Sequence, residues 1–503
     1  MNGAPATTDG GTEPFRLLLL NDDRTPLDFV LSVLETLCGM TREQAYATAI
    51  EAHRLGRSTC GIHPRPEAEA KVAEAAALAR QAGHPLTFRA EPRGDLPGET
   101  ADGAPLAEPA RHLPAPGPEA WDPEAPRAGI QEIVDDALDQ FNETRLWPAH
   151  PLDEGLADGA ASLYFGATGV VWALDHLRRR GAARVARDLV PLLPRLLAAS
   201  REEVARGPYP RHASWLMGEV GVLALALRLA PSAAVADELH ARCAANLDLP
   251  VLELMWGLPG SMLACLVADR LTGGEERWRA LHARQAERLL GCLEETGDGP
   301  LWTQELYGQR ARYLGPVHGF AGNMLALLRG WAWLEPRQRA RVAEAVPRTL
   351  AATAWRSGDG TTVNWHAVAT RASPPRLLQH CHGAPGMVTS FADGPVRTAD
   401  LDALLLAAGE LVWRAGPLAK GPGLCHGTAG NGYALLKLWR HTGDAAWLAR
   451  ARAFAAAAIR QYRDARARHG QGRYSLWTGD LGLAVYLADC LSGEAGFPTI
   501  DCF

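Results

Sequence analysis

Seven times between residues 166 and 482 a Gly-x-x-Gly pair is followed by an apolar run. The pairs are Gly166/Gly169, Gly218/Gly221, Gly257/Gly260, Gly319/Gly322, Gly383/Gly386, Gly427/Gly430 and Gly479/Gly482. The runs read VVWALDHL, VLALALRL, SMLACLVADR, NMLALLRGW, MVTSFAD, NGYALLKLW and LAVYLADCL. Between them lie Ala-, Leu- and Arg-rich stretches such as ARVARDLVPLLPRLLAAS, with apolar positions at helical spacing. A single such pair is ordinarily a turn. Seven in succession, each ahead of an apolar helix, predict repeated helical units that share one core. Circular closure leaves no exposed end repeat. The expected architecture of residues 128–503 is therefore an all-α, seven-repeat α/α toroid with an inner and an outer ring of helices.

The pattern ahead of these repeats is different. Residues 14–92 read as a compact α/β unit. Leu17–Leu20 is a strand candidate, Asn21-Asp22-Asp23 with Thr25-Pro26 marks a turn and helix start, and two amphipathic helices and a β-rich return (GHPLTFRAEP) follow. Residues 93–127 are rich in Pro, Ala, Gly and Glu, a composition that predicts a semi-extended linker.

Composition narrows the function classes. Of 503 residues, 47% are hydrophobic and 21% charged, as in a soluble globular protein. The net charge of -6 gives no electrostatic reason to expect nucleic-acid binding. Leu17–Leu20 is too short for a signal peptide or a membrane span. The nine cysteines are scattered rather than dense, which suits a reducing cytoplasm with thiols free for metal or catalysis.

Two of the glycine motifs carry cysteine and histidine: Cys381-His382-Gly383 and Cys425-His426-Gly427. These are the preferred ligands of zinc, and clusters from distant parts of a chain can close one site. His318, in Val-His-Gly-Phe-Ala-Gly, reads as the counterpart of Cys381 and Cys425, and equivalent positions of a ring converge on its axis. Glu253 precedes the third glycine motif, and Arg376 and Lys420 lie shortly before the two cysteines.

Residues 130–503 resemble the lanthionine synthetase C family, particularly its LanC-like branch, through LYFGATG, ELMWGLPG, PVHGFAGN, HCHGAPG, GPGLCHGTAGNGYALL, YSLWTGDLG and the closing GFPTIDCF. The resemblance implies one catalytic zinc on Cys381, Cys425 and His426, with a fourth position open for a thiol. It implies proton transfer by His318 and an acidic residue at Glu253 facing the active site. His382 either protonates the enolate formed on addition or orients the site. Arg376 and Lys420 stand near the places where that branch binds the carboxylates of a thiol substrate such as glutathione, or else are surface charges. One departure is His380, where the family usually has tryptophan; a polar ring there alters the pocket or competes for metal.

The first unit resembles ClpS, the adaptor that delivers proteins with destabilising amino-terminal residues to Clp AAA+ proteases, through NDD-x-TP, EAHRLG, CG and AGHPL. The resemblance implies that Asn21, Asp22, Asp23, Thr25 and His53 surround a bound amino terminus, and that Leu27, Val30 and Ala49 line a hollow for its side chain. Lys71 is either part of a protease-docking face or a solvated lysine.

Together these readings predict zinc-dependent addition of a cysteine thiol, from glutathione or a peptide, to dehydroalanine or dehydrobutyrine in a peptide or protein captured by the first domain. The expected partners are that substrate, glutathione and a Clp AAA+ ATPase, with no nucleic acid and no membrane span. A rival reading makes the protein a Clp adaptor with the toroid as a non-catalytic scaffold. An α/α-barrel glycosidase needs two placed carboxylates, and only Glu253 and Asp480 sit at motif positions.

Overall fold

The computed structural model describes residues 14–22, 24–40, 42–92, 106–117, 121–153, 158–206, 213–306, 309–370 and 374–503. The first domain is a three-stranded antiparallel sheet in the order β2-β1-β3 with three helices. Its elements are β1 (Pro14–Leu20), α1 (Leu27–Cys38), α2 (Arg42–Leu55), β2 (Arg57–Pro64), α3 (Arg65–Ala82) and β3 (Thr87–Pro92). The strand β2 is absent from the reading of the sequence; RSTCGIHP is short and carries little alternation. Leu17, Leu19, Leu34, Leu37 and Phe88 form this domain's core.

The toroid alternates outer and inner helices. The outer ones are α4 (Glu124–Asp139), α6 (Leu193–Arg206), α8 (Ala233–Ala245), α10 (Glu276–Gly291), α12 (Pro336–Thr353), α14 (Ala399–Ala415) and α16 (Ala445–His469). The inner ones are α5 (Ala167–Arg179), α7 (Glu219–Leu229), α9 (Leu258–Thr272), α11 (Phe320–Arg329), α13 (Ala384–Phe391), α15 (Thr428–Thr442) and α17 (Asp480–Ser492). The first glycine of every motif is the N-cap residue of its inner helix.

The second glycine explains how the ring closes. A Cβ on Gly221 would meet the Leu163 side chain, and one on Gly260 the Trp215 side chain, each from the preceding repeat. On Gly169 of the first repeat it would meet Leu476 of the seventh, at 2.8 Å. Only a residue without Cβ lets each inner helix lie this close to its neighbour. Inner helices α5 and α17 also pack together, so the series returns on itself. One continuous core, rich in fully buried tryptophans such as Trp172, Trp215, Trp302, Trp365 and Trp477, joins the two rings.

Part of the segment expected to be a linker belongs to this body. Leu106 and Ala107 are buried in the toroid core, Leu113 N donates to Pro417 O at 2.8 Å, and Glu108 pairs with Arg376 at 2.8 Å. A composition poor in apolar residues does not prevent a short segment from borrowing a core already built by others. Among the described residues, no helix is long and apolar enough to cross a membrane.

Candidate metal centre

The loops that precede the inner helices are stitched to one another around the axis. Tyr164 N donates to Leu216 O at 3.0 Å, Met255 N to Val317 O at 3.4 Å, Cys381 N to Cys425 O at 3.1 Å, Cys425 N to Trp477 O at 2.8 Å, and Trp477 N to Tyr164 O at 3.2 Å. Each of these residues stands two before the first glycine of its motif. This girdle brings the two cysteines side by side. It also corrects the repeat alignment: Val317 is the counterpart of Cys381 and Cys425, whereas His318 matches His382 and His426, each directly before its glycine.

Cys381, Cys425 and His426 offer ligand atoms that all lie within 4.8 Å of one another. Two sulfurs and a nitrogen on one tetrahedral zinc lie about 3.5–3.8 Å apart, so a small contraction around an ion suffices. The donor set fits zinc, with one tetrahedral position left over. His426 is pushed well below the usual imidazole pKa by burial and then by the charges of Lys420, Arg473, His53 and Arg111, which keeps it in the neutral ligand form. Burial opposes ionisation of Cys381, but hydrogen bonds from Cys425 and Gln379 and the charge of Lys420 outweigh it, and its pKa is lowered. Burial and the neighbouring Cys381 push Cys425 well up, while the Tyr164 hydroxyl pulls it the other way. A metal ion held here would take the proton from both thiols.

His318 Nδ1 lies 2.6 Å from Glu253 Oε2, and Glu253 is fully buried. The same carboxylate accepts from Met255 N at 3.3 Å and from Trp256 N, so its loop holds it in place. A carboxylate accepts, so Nδ1 carries the proton and Nε2 becomes the nitrogen that exchanges protons. His382 is buried and lies beside the loop of His318: a Cβ on Gly315 would be 2.1 Å from Cys381 O and 3.5 Å from His382 Nδ1. Lys420 acts on all three candidate ligands through its charge. Arg376 instead meets its counter-charge in Glu108. His380 stays out of the metal cluster: it stacks on Phe497 at 4.1 Å, bonds Thr389 Oγ1 at 3.1 Å, and burial depresses its pKa to about 3.

Four neighbours were missed in the sequence. Tyr164 stands two before its glycine like the cysteines, so aligning the repeats would have found it. Gln379 Nε2 donates to Cys381 Sγ at 3.2 Å. Arg473, clamped on Asp153 at 3.0 and 3.1 Å, and Arg111, 3.5 Å from Gln379 Oε1, add positive charge. Arg111 gave no signal because its surroundings read as linker.

In the first domain Asp22 Oδ1 accepts from Thr25 N at 2.7 Å and Asp22 Oδ2 from Thr25 Oγ1 at 2.8 Å. The NDD-x-TP motif is therefore a side-chain-closed turn ahead of α1, whose own N-cap, Pro26, makes no side-chain bond. Asn21 is half-buried and His53 exposed; Asp23 lies outside the described residues. Val30 and Ala49 are buried, and Leu27 is 38% exposed. Lys71 Nζ donates to Leu37 O at 2.8 Å, at the end of α1.

The chain is similar to known proteins in two separate stretches. Residues 130–501 match the family model "Lanthionine synthetase C-like protein", and residues 11–89 match "ATP-dependent Clp protease adaptor protein ClpS". The Clp protease adapter ClpS of Nitrosospira multiformis is 47% identical over 72 residues, 14% of this chain and 71% of its own length. That of Deinococcus radiodurans is 42% identical over 81 residues, 16% of this chain and 72% of its own. The solved structure of nisin cyclase superposes on 72% of this chain and 93% of its own with a TM-score of 0.50; at 13% identity the likeness is one of fold. With most of its length in the first of these matches, the chain belongs to the lanthionine synthetase C-like family and carries a ClpS domain ahead of that toroid.

Proposed function

We propose that the protein joins a cysteine thiol to a dehydroalanine or dehydrobutyrine residue, forming a thioether, at Cys381, Cys425 and His426. The observation that carries this reading is the convergence of a two-thiol, one-imidazole set with a carboxylate-braced histidine in one girdle of loops. Zinc, when bound, supplies a site where a thiol loses its proton near neutral pH. The sulfur then bonds to Cβ of the dehydro residue, the C=C π bond breaks, and the resulting enolate takes a proton at Cα. His318, oriented by Glu253, accepts and returns that proton, with His382 beside its loop as a second donor. Lys420, with Arg111 and Arg473, favours an anionic thiol donor, whether glutathione or a peptide cysteine with an acidic neighbour. In this reading residues 14–92 bind the peptide or protein, 93–127 connect, and 128–503 react, in a cytoplasm that keeps thiols reduced.

The test is zinc content together with mass spectrometry of a dehydroalanine peptide incubated with glutathione. The expected result is one zinc per chain and a glutathione adduct, both lost in Cys425→Ala. Zinc with no adduct directs the donor to a cysteine within the peptide. Neither zinc nor adduct, together with retention of a Clp AAA+ ATPase, overturns the enzyme in favour of an adaptor, the second reading that the ClpS domain supports.

A further inference from the structure

The first domain sits against the loop that leads into the metal cluster. Gly56, the turn between α2 and β2, has a left-handed φ of 79°, and a Cβ built on it would lie 3.5 Å from Leu377 Cδ2. A side chain there would be strained by the backbone conformation, and the position lies at ordinary van der Waals distance from Leu377, so glycine holds the turn that makes the contact. Leu377 is four residues before Cys381, and its carbonyl accepts from the buried Asn364 Nδ2 at 3.0 Å, so the surface it offers is firmly held. Asn21 N donates to Gly56 O at 2.9 Å, which ties the Asn21–Thr25 turn to the same contact. His53, three residues before Gly56 on α2, is exposed.

These facts bound the separation. Four residues of chain span at most about 15 Å, and the side chains and the contact itself add about 10 Å, so Gly56 lies within roughly 25 Å of the Cys381 sulfur. An extended peptide covers that in roughly six or seven residues.

Given that reading of the two sites, we infer that a peptide held by its amino terminus at the Asn21–Thr25 turn and His53 presents one of its first six or so residues to Cys381, Cys425 and His426. The substrate is then a chain whose reactive residue lies close behind a free amino terminus. A residue far along the chain still reaches the site by looping, at an effective concentration that falls roughly as the −3/2 power of length; moving it from position 6 to position 24 costs about eightfold.

The experiment is photocrosslinking on the full chain without metal, so it is independent of any thioether activity. Two peptides share a free, apolar amino-terminal residue and carry a diazirine side chain at position 6 or at position 24. Crosslinks are mapped by mass spectrometry, and binding is followed by fluorescence anisotropy. The position-6 probe is expected to label residues 376–383 or 420–427, about eightfold more than the position-24 probe. Acetylating the amino terminus, or His53→Ala, should abolish that label. Binding that needs the free amino terminus but labels only residues 14–92 overturns the inference while leaving capture intact. Equal labelling from both positions overturns the positional preference. Binding indifferent to acetylation overturns it together with the capture on which it rests.

Discussion

Glu253 and His318 come from consecutive repeats and touch because their loops are neighbours in the girdle, where Met255 N bonds Val317 O. A buried carboxylate that also satisfies its own loop amides cannot swing away, so its role is to hold the imidazole. His318→Ala should lower the adduct rate by about 10²–10⁴ with zinc content unchanged. Glu253→Gln keeps the shape but loses the charge that braces the imidazole, and should lower the adduct rate with zinc content unchanged. Zinc loss in either variant would make the pair structural. His282 illustrates a residue with no such partner. It is fully buried, neither ring nitrogen is hydrogen-bonded, and burial depresses its pKa from 6.5 to about 4. The unfolded chain therefore takes up a proton that the folded one refuses between those values. Stability is whole above pH 6.5 and falls as pH drops towards 4, by about 3 kcal/mol from this residue. Urea unfolding from pH 7 to pH 4 should show that loss, and His282→Leu should remove this share of it.

Helix α15 joins the site to the carboxyl-terminal segment. Its first turn follows His426, and two turns further on Lys437 is buried, with its ammonium against Asp393 and, at 2.6 Å, Asp501. Arg329 of α11 bonds the same two carboxylates, at 3.1 and 2.5 Å. Burial opposes charge on Asp501, but Arg329 and Lys437 outweigh it and hold its carboxyl at about 2. The segment is further fixed by Thr499, whose carbonyl accepts from Trp215 Nε1 at 3.1 Å and whose hydroxyl accepts from Trp477 Nε1 at 3.2 Å. Removing one partner of a buried ion network strands the others, so Lys437→Ala should cost roughly 3–5 kcal/mol in guanidinium unfolding. A loss under 1 kcal/mol would mean that Arg329 alone satisfies both carboxylates.

The molecule has two hydrophobic cores that share no residue, one in each domain. Among the described residues the two bodies touch where Gly56 faces Leu377. Calorimetry should therefore resolve two transitions. At about 0.7 kcal/mol per residue, the first domain's would carry about 50 kcal/mol near 60 °C. A single transition would show that the interface is much stronger than these contacts imply.

The seven inner helices were legible from residues alone, because a motif that repeats in sequence repeats the same local requirement: a backbone N-cap, then a helix too close to its neighbour for a Cβ. The cysteine–histidine pairs were legible for the same reason, as departures from a repeated frame. Local chemistry also marked the turn at Asp22–Thr25, though not that its groups bond each other. What the chain order could not reveal is whatever depends on neighbours far away along it. The counter-charge of Arg376 lies 268 residues away in Glu108, and His380 finds Phe497 rather than the metal. Residues 106–117 look like linker until the toroid gives Leu106 a core to enter. Periodicity reports short-range geometry, which a residue carries with it; the partner of a charge or an aromatic face is chosen only when distant segments pack.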